Sequence, residues 1–300
     1  MTPIRTRAAV VFAALVLGFV LSAAPGQTVK DDVGNVFPLG APPRRIVSLA
    51  PNITEILFTL GLGDRIVGVT RYCDFPPEAR TRDKVGGFID PDVEKIRSLN
   101  PDLVIAYRGN PLNAIERLQA FKLAVFVLDI GGRLEAVPDT IKKIGRVTRK
   151  DAEARALVAS LDRAYAAIIN ALQPAKGRPK VFLSLQGQGL MTCGRAGYFN
   201  DLIERAKGTN VAGRIGRAWF EYGREQLIRD DPDVIIILTP TEEDFAAARR
   251  WFQGQPEFAS VRAVKGGRIR RLDENIASRF GPRLYEAFAE LARIIHPERF

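Results

Sequence analysis

Short apolar runs alternate with amphipathic stretches along most of the chain. Ile46-Val47-Ser48-Leu49 has the length of a buried strand. The segment Pro51-Asn52-Ile53-Thr54-Glu55 opens a helix that carries Ile56, Leu57 and Leu60 and stops at Gly61 or Gly63. Asn52, with Glu55 three residues on, has the form of a capping box. Residues 66–69 make the next short strand, and Asp90-Pro91-Asp92 starts a helix with proline in its first turn. An apolar strand at 103–106 and a helix over 112–121 lead to a strand over 124–128. From 138 to 172 strands cease, while Ile141, Ile144, Leu157, Leu161, Ile168 and Leu172 recur at helical spacing. The spacing predicts one long helix with a break near Gly145, ended by Pro174, Gly177 and Pro179. Alternation then resumes, with strands at 180–185, 234–238 and 269–272 and helices at 199–206, 225–229, 245–251 and 282–296.

Strands alternating with helices imply parallel sheets covered on both faces. The predicted fold is α/β: two Rossmann-like lobes with parallel sheets, over 44–137 and 178–300, joined by a backbone helix over 138–173. A polar lead-in over 25–43 precedes them, and residues 1–24 read as a leader. In that leader Arg5 and Arg7 come before an apolar run over 8–21 and then Ser22-Ala23-Ala24, the layout of a secretory signal. The run is shorter than the ~20 apolar residues a spanning helix needs, which favours cleavage over anchoring. No cysteine follows it closely, so a freely diffusing periplasmic protein is expected.

The formal net charge is +10, but the basic residues are scattered among acids rather than clustered with aromatics, which argues against nucleic-acid binding. The single histidine, His296, sits in a terminal segment. It excludes a multi-histidine zinc site, argues against a Ser-His-Asp triad, and reads as a surface or helix-end residue. Cys73 and Cys193 could form at most one bridge, and the expectation is two free or separately buried thiols.

One echo runs through the two halves. Glu94-Lys95-Ile96 leads to Pro101-Asp102-Leu103-Val104-Ile105, and Glu225-Gln226-Leu227 leads to Pro232-Asp233-Val234-Ile235-Ile236 at identical offsets. Two such lobes facing each other make a cleft, and open parallel sheets bind ligands beyond the carboxyl ends of their strands. The loops there carry Tyr72, Phe88 and Tyr107 in the first half, and Met191, Trp219, Phe220, Tyr222 and residues 275–281 in the second. Aromatics in such loops are natural walls for a large apolar or planar ligand. Catalytic patterns are weak. Gly187-Gln188-Gly189 lacks the third glycine of a dinucleotide fingerprint, and Ser48 and Ser184 lie inside strands without a base. Asp230, Asp231 and Asp233 fall at a helix-to-strand turn that explains them. The reading is a binding protein with no catalytic residue, metal or cofactor; a periplasmic α/β enzyme is the alternative from another class.

Three segments strengthen it: Arg45-Ile46-Val47-Ser48-Leu49-Ala50-Pro51-Asn52-Ile53-Thr54-Glu55, Gly68-Val69-Thr70-Arg71-Tyr72-Cys73-Asp74-Phe75-Pro76-Pro77, and Pro101-Asp102-Leu103-Val104-Ile105-Ala106-Tyr107-Arg108-Gly109. They resemble the periplasmic binding proteins of iron-siderophore, haem and vitamin B12 ABC importers, with the vitamin B12-binding branch nearest, and the resemblance covers roughly 44–296. It implies two lobes bridged by a rigid helix, closing only slightly on a corrinoid that is then delivered to a membrane permease; a ferric siderophore or haem is the alternative ligand. By this resemblance Tyr72 matches a ligand-contacting tyrosine, Phe88 and Tyr107 stand where the B12 receptor has tryptophans, and Met191 replaces a phenylalanine. Trp219 matches a tryptophan, Arg279 an arginine, and Asn275 replaces an aspartate. Glu94 and Glu225 match the two glutamates that dock the family onto arginines of the permease dimer. A symmetric permease pair presents one basic pocket twice, so its receptor must present one acid twice.

Overall fold

The computed structural model describes residues 27–129, 131–185 and 187–300; the leader expected over 1–24 lies outside the described residues. The first half opens with strands β1 (Thr28–Lys30) and β2 (Val36–Pro38), followed by β3 (Ile46–Ser48), helix α1 (Pro51–Thr59), β4 (Ile66–Val69) and β5 (Asp83–Lys84). Then come α2 (Val93–Ser98), β6 (Leu103–Tyr107), α3 (Leu112–Ala120) and β7 (Val125–Leu128). Five of these strands form a parallel sheet in the order β5-β4-β3-β6-β7.

The segment read as a polar lead-in is an antiparallel hairpin, β1 on β2. It is fastened to the edge strand β7: Asp32 N–H donates to the Val127 carbonyl at 2.9 Å, and Val127 N–H donates to the Asp31 carboxylate at 3.1 Å. Phe37 meets Phe126 edge-on at 5.1 Å. The hairpin thereby covers an edge whose amides would otherwise be open to pairing.

The long helix expected over 138–173 with a break near Gly145 is two helices, α4 (Ala136–Val147) and α5 (Asp151–Leu172). The chain turns at 148–150, where Arg149 takes a left-handed φ of 61° and Lys150 N–H donates to the Gly145 carbonyl at 2.6 Å. The break thus falls just after Gly145. That glycine is buried inside α4, where a Cβ would come 2.4 Å from that of Ala154 on α5, so it permits close packing of the two helices. Of the two, α5, with 22 residues and a length of about 33 Å, carries the chain into the second half.

The second half runs β8 (Lys180–Ser184), β9 (Met191–Cys193), α6 (Tyr198–Arg205), β10 (Thr209–Asn210), β11 (Trp219–Glu221) and α7 (Arg224–Asp230). It continues through β12 (Val234–Thr239), α8 (Glu242–Gln253), α9 (Arg262–Lys265), β13 (Ile269–Asp273), α10 (Glu274–Ala277) and α11 (Leu284–Ile295). Its sheet is parallel, in the order β10-β8-β12-β13. Strands β9 and β11 form a separate antiparallel ribbon that the sequence pattern did not predict, with Trp219 opposite Cys193 and Glu221 opposite Met191.

The echo between the halves is structural. Ile46 pairs with Leu103 across β3 and β6, and Val181 pairs with Val234 across β8 and β12. The Asp102 carboxylate accepts from Arg44 and Arg45 N–H at 2.7 and 3.0 Å, and that of Asp233 accepts from Lys180 N–H at 2.7 Å. Asn100 and Asp231, each just before the proline, take φ of 45° and 46°. Each aspartate thus satisfies amides where the neighbouring strand begins.

The largest apolar core does not stop at the boundary between halves. It joins Ile46 and Ile105 of the first sheet to Val181 and Ile236 of the second through side chains of α1, α4, α5 and α11. His296, at the C-terminal cap of α11, is buried rather than on the surface, its ring between Glu298 and the Lys207 carbonyl at 3.2 Å each.

Candidate functional site

The carboxyl end of β3 feeds α1, and here the capping box is overturned. Ala50 occupies the cap, while Asn52 and Glu55 lie inside the helix, 3% and 2% exposed. Both reach the second half. Asn52 Nδ2 donates to the Phe280 carbonyl at 3.2 Å. Glu55 receives a forked pair from Arg283, at 3.0 Å from Nε and 2.5 Å from Nη2, and a third bond from Arg279 Nη1 at 3.2 Å. Arg279 also forks onto Asp74, at 2.6 and 3.2 Å. The Arg283 guanidinium lies 3.7 Å from the centre of the Phe75 ring. Planar guanidinium forks on carboxylates give directional, charge-assisted bonds, so this seam fixes how the two carboxyl edges face each other.

Aromatic rings flank the seam. On the second half, Phe280 packs edge-on against Tyr198 at 4.7 Å, and Tyr198 against Trp219 at 5.8 Å. Tyr198 Oη donates to the Ala277 carbonyl at 3.1 Å, holding the ring while Trp219 remains 46% exposed. On the first half Tyr72, two residues before Asp74, is 53% exposed, with Arg71 at 5.6 Å from its ring centre. Phe88 and Tyr107 pack together at 5.3 Å, and Asn110 Nδ2 donates to the Phe88 carbonyl at 2.9 Å. Met191 is half-buried on the ribbon that carries Trp219.

Other expected site residues are placed as follows. The Arg279 guanidinium is engaged by Asp74 and Glu55. Asn275 Nδ2 donates to the Pro240 carbonyl and the Asp273 carboxylate at 3.3 and 3.2 Å. Tyr222, grouped with the loop aromatics, is a core residue, 3% exposed and 5.5 Å from Phe182. Glu94 and Glu225 each hold the second position of their helices, α2 and α7, and both are exposed. A helix that feeds a parallel strand begins toward the sheet's carboxyl edge, so both carboxylates lie toward the carboxyl edges of their sheets. Glu94 is 3.2 Å from Arg117. The residues that sequence reasoning missed are Glu55, Asp74 and Arg283. The one available signal was a glutamate amid Ile53, Ile56 and Leu57.

Cys73 and Cys193 are buried, free thiols, as expected. Burial raises both, Cys193 to about 12.

The hydrogen bond from Arg279 holds the Asp74 carboxyl below its ordinary value of 3.8. Its stabilising contribution is therefore complete above the unfolded-state value and is lost as pH falls through the folded one. Thermal unfolding of wild type and Asp74→Asn should show a gap at neutral pH that closes in acid; a gap independent of pH contradicts the pairing.

Residues 46–276 match a family described as periplasmic binding protein. The chain belongs to this family. Its members are solute-binding proteins rather than enzymes, and membership makes this an exported protein. A Bacillus subtilis protein named an uncharacterised ABC transporter substrate-binding lipoprotein is 29% identical over 279 residues, covering 91% of this chain and 86% of its own. A vitamin B12-binding protein of Pectobacterium atrosepticum is 26% identical over 254 residues, covering 83% and 87%. Among solved structures, a periplasmic haem-binding protein from Roseiflexus, in apo form, superposes with a TM-score of 0.76 at 26% identity, covering 86% of this chain and 99% of its own.

Proposed function

We propose that this periplasmic binding protein is the receptor of an ABC importer, that it captures a corrinoid between the carboxyl edges of its two sheets, and that it hands the ligand to the permease. The observation that carries the reading is the pair of exposed rings, Tyr72 and Trp219, one from each half, Tyr72 two residues from Asp74 of the seam and Trp219 joined to it through Tyr198 and Phe280. With Phe88, Tyr107 and Met191 they offer apolar area to a large ring system. Asn275, and the Arg279 Nε–H that neither carboxylate engages, supply polar contacts. Glu94 and Glu225 meet equivalent basic pockets on the permease dimer. The leader over 1–24 is cleaved, leaving the protein free in the periplasm.

Charge favours the corrinoid over an anionic iron chelate or haem. The seam arginines face Glu55 and Asp74, Arg71 faces Asp90 at 2.5 Å, and Arg108 faces Asp129 at 3.0 Å. Cations already paired attract an anion weakly, whereas a neutral ring system needs only the apolar walls.

Calorimetric titration with cyanocobalamin, dicyanocobinamide, haemin and a ferric siderophore tests this. Corrinoid binding should quench Trp219 fluorescence, and Trp219→Ala and Tyr72→Ala should each weaken it by about three- to ten-fold, the worth of one aromatic contact. No corrinoid binding at micromolar concentration refutes the reading.

A further inference from the structure

Beyond the carboxyl ends of β8 and β12 lies a cavity of about 370 Å³ whose lining includes Gly187, Gln188, Thr239, Pro240, Asp244 and Glu274. Its position is topologically distinct. The chain leaves β8 for β10 on one side of the sheet, while β12 continues to β13 on the other, so the cavity sits where the strand order reverses. Ligands of open α/β sheets enter at such points. Glu274 follows β13 directly and lies five residues before Arg279, which puts the cavity on the same edge as the seam.

Its two carboxylates, Asp244 and Glu274, accept hydrogen bonds and repel anions. Neither lysine nor arginine lines it among the described residues. Arg271 of β13 reaches the rim, where its Nη2 donates to the Pro240 carbonyl at 2.9 Å, but its charge is countered by Glu242 at 3.2 Å and Asp273 at 3.4 Å, and only its Nε–H is left without a partner among the described residues. Burial, and then the charges of Asp273 and Asp244, push the Glu274 carboxyl up. The start of α8 would favour an anion, but Glu242, Glu243 and Asp244 already occupy its first turn, and the Thr241 side chain caps it. A second observation is independent of these acids. Thr239, also in the lining, is 3% exposed, and its hydroxyl has no hydrogen-bond partner among the described residues. A buried hydroxyl without a partner is costly to keep unless a ligand completes it.

We propose that this cavity is a specificity subsite that receives an uncharged or cationic N–H donor of the ligand, a carboxamide or an ammonium group, and excludes carboxylates. The proposal rests on the corrinoid reading and deepens it: the site selects the amide-bearing form of a corrinoid over its free acid. Asp244 and Glu274 are the selecting groups, the Thr239 hydroxyl is a further partner able to donate or accept, and Gln188 with apolar Leu185, Leu238 and Ala247 makes up the rest of the wall.

The test compares dicyanocobinamide, whose periphery is carboxamide, with dicyanocobyrinic acid, whose periphery is carboxylate. Wild type should prefer the amide by at least roughly ten-fold, the effect of about one charge-assisted hydrogen bond. Asp244→Asn with Glu274→Gln should narrow the gap by strengthening binding of the acid. Thr239→Val, close to isosteric, should raise the thermal midpoint yet weaken the amide alone, a combination that a purely structural threonine would not give. Equal affinity for the two corrinoids, or a gap unchanged in the double variant, overturns the subsite. If haemin binds and neither corrinoid does, the corrinoid reading fails by itself; haemin against its diamide, in the same variants, then decides the subsite by the same criterion. Binding of neither pair overturns both.

Discussion

Replacing Glu55 by alanine should cost about 3–5 kcal/mol of stability, the usual loss when one member of a buried ion pair is removed. The carboxylate is 2% exposed and carries three hydrogen bonds from two arginines. Without it, Arg279 keeps Asp74, but Arg283, its side chain only 15% exposed, is left with the Phe75 ring. A ring face compensates a buried guanidinium by far less than a carboxylate does. Glu55→Gln should lose less, because it keeps an acceptor in place. Exchanging the three buried members for apolar residues, Glu55→Leu with Arg279→Met and Arg283→Met, together with Asp74→Asn so that no carboxylate is left unpaired, should come out close to neutral, since a buried ion pair gains little over good apolar packing. Denaturant midpoints, compared at equal slope, measure all three. A Glu55→Ala loss under about 1 kcal/mol would mean that the carboxylate is solvated rather than buried, and the seam would cease to be a structural hub.

The same site shows how far local pattern reaches. Strand and helix order was legible, because buried parallel strands read as apolar runs and the joining helices carry their own periodicity. So was the repeat, since Glu94 to Asp102 and Glu225 to Asp233 each build one local unit that closes on its own strand. The break in the long helix was legible only approximately, near Gly145, because Thr148, Arg149 and Lys150 include neither glycine nor proline and the residues on both sides favour helix. The β9–β11 ribbon escaped for another reason: its two strands of three residues pair without a short turn between them. The seam is the extreme case. Glu55 meets Arg279 and Arg283 across 224 and 228 residues, and nothing local separates a glutamate that crosses a molecule from one that caps its own helix.

Removing both exposed acids, Glu94→Ala with Glu225→Ala, should nearly abolish transport while leaving ligand affinity unchanged. The two carboxylates occupy the same helical position in two units that share register, turn conformation and strand-capping aspartate. Neither touches the seam or the flanking rings, so capture and delivery are separable. Charged groups at the edge of an interface act mainly on encounter and orientation, and a loss of roughly ten- to a thousand-fold in productive association is the scale expected. The single variants should be unequal. Glu94 is shared with Arg117, an exposed pair worth little but one that must open before docking, whereas Glu225 has no ion-pair partner among the described residues. Glu225→Ala alone should therefore impair uptake more than Glu94→Ala, and Arg117→Ala should improve it. Uptake into vesicles bearing the permease, over a range of salt, reads each case. The effects should shrink as ionic strength rises. Undiminished uptake by the double variant would remove both acids from docking, and equal losses from the single variants would show that Arg117 plays no part in it.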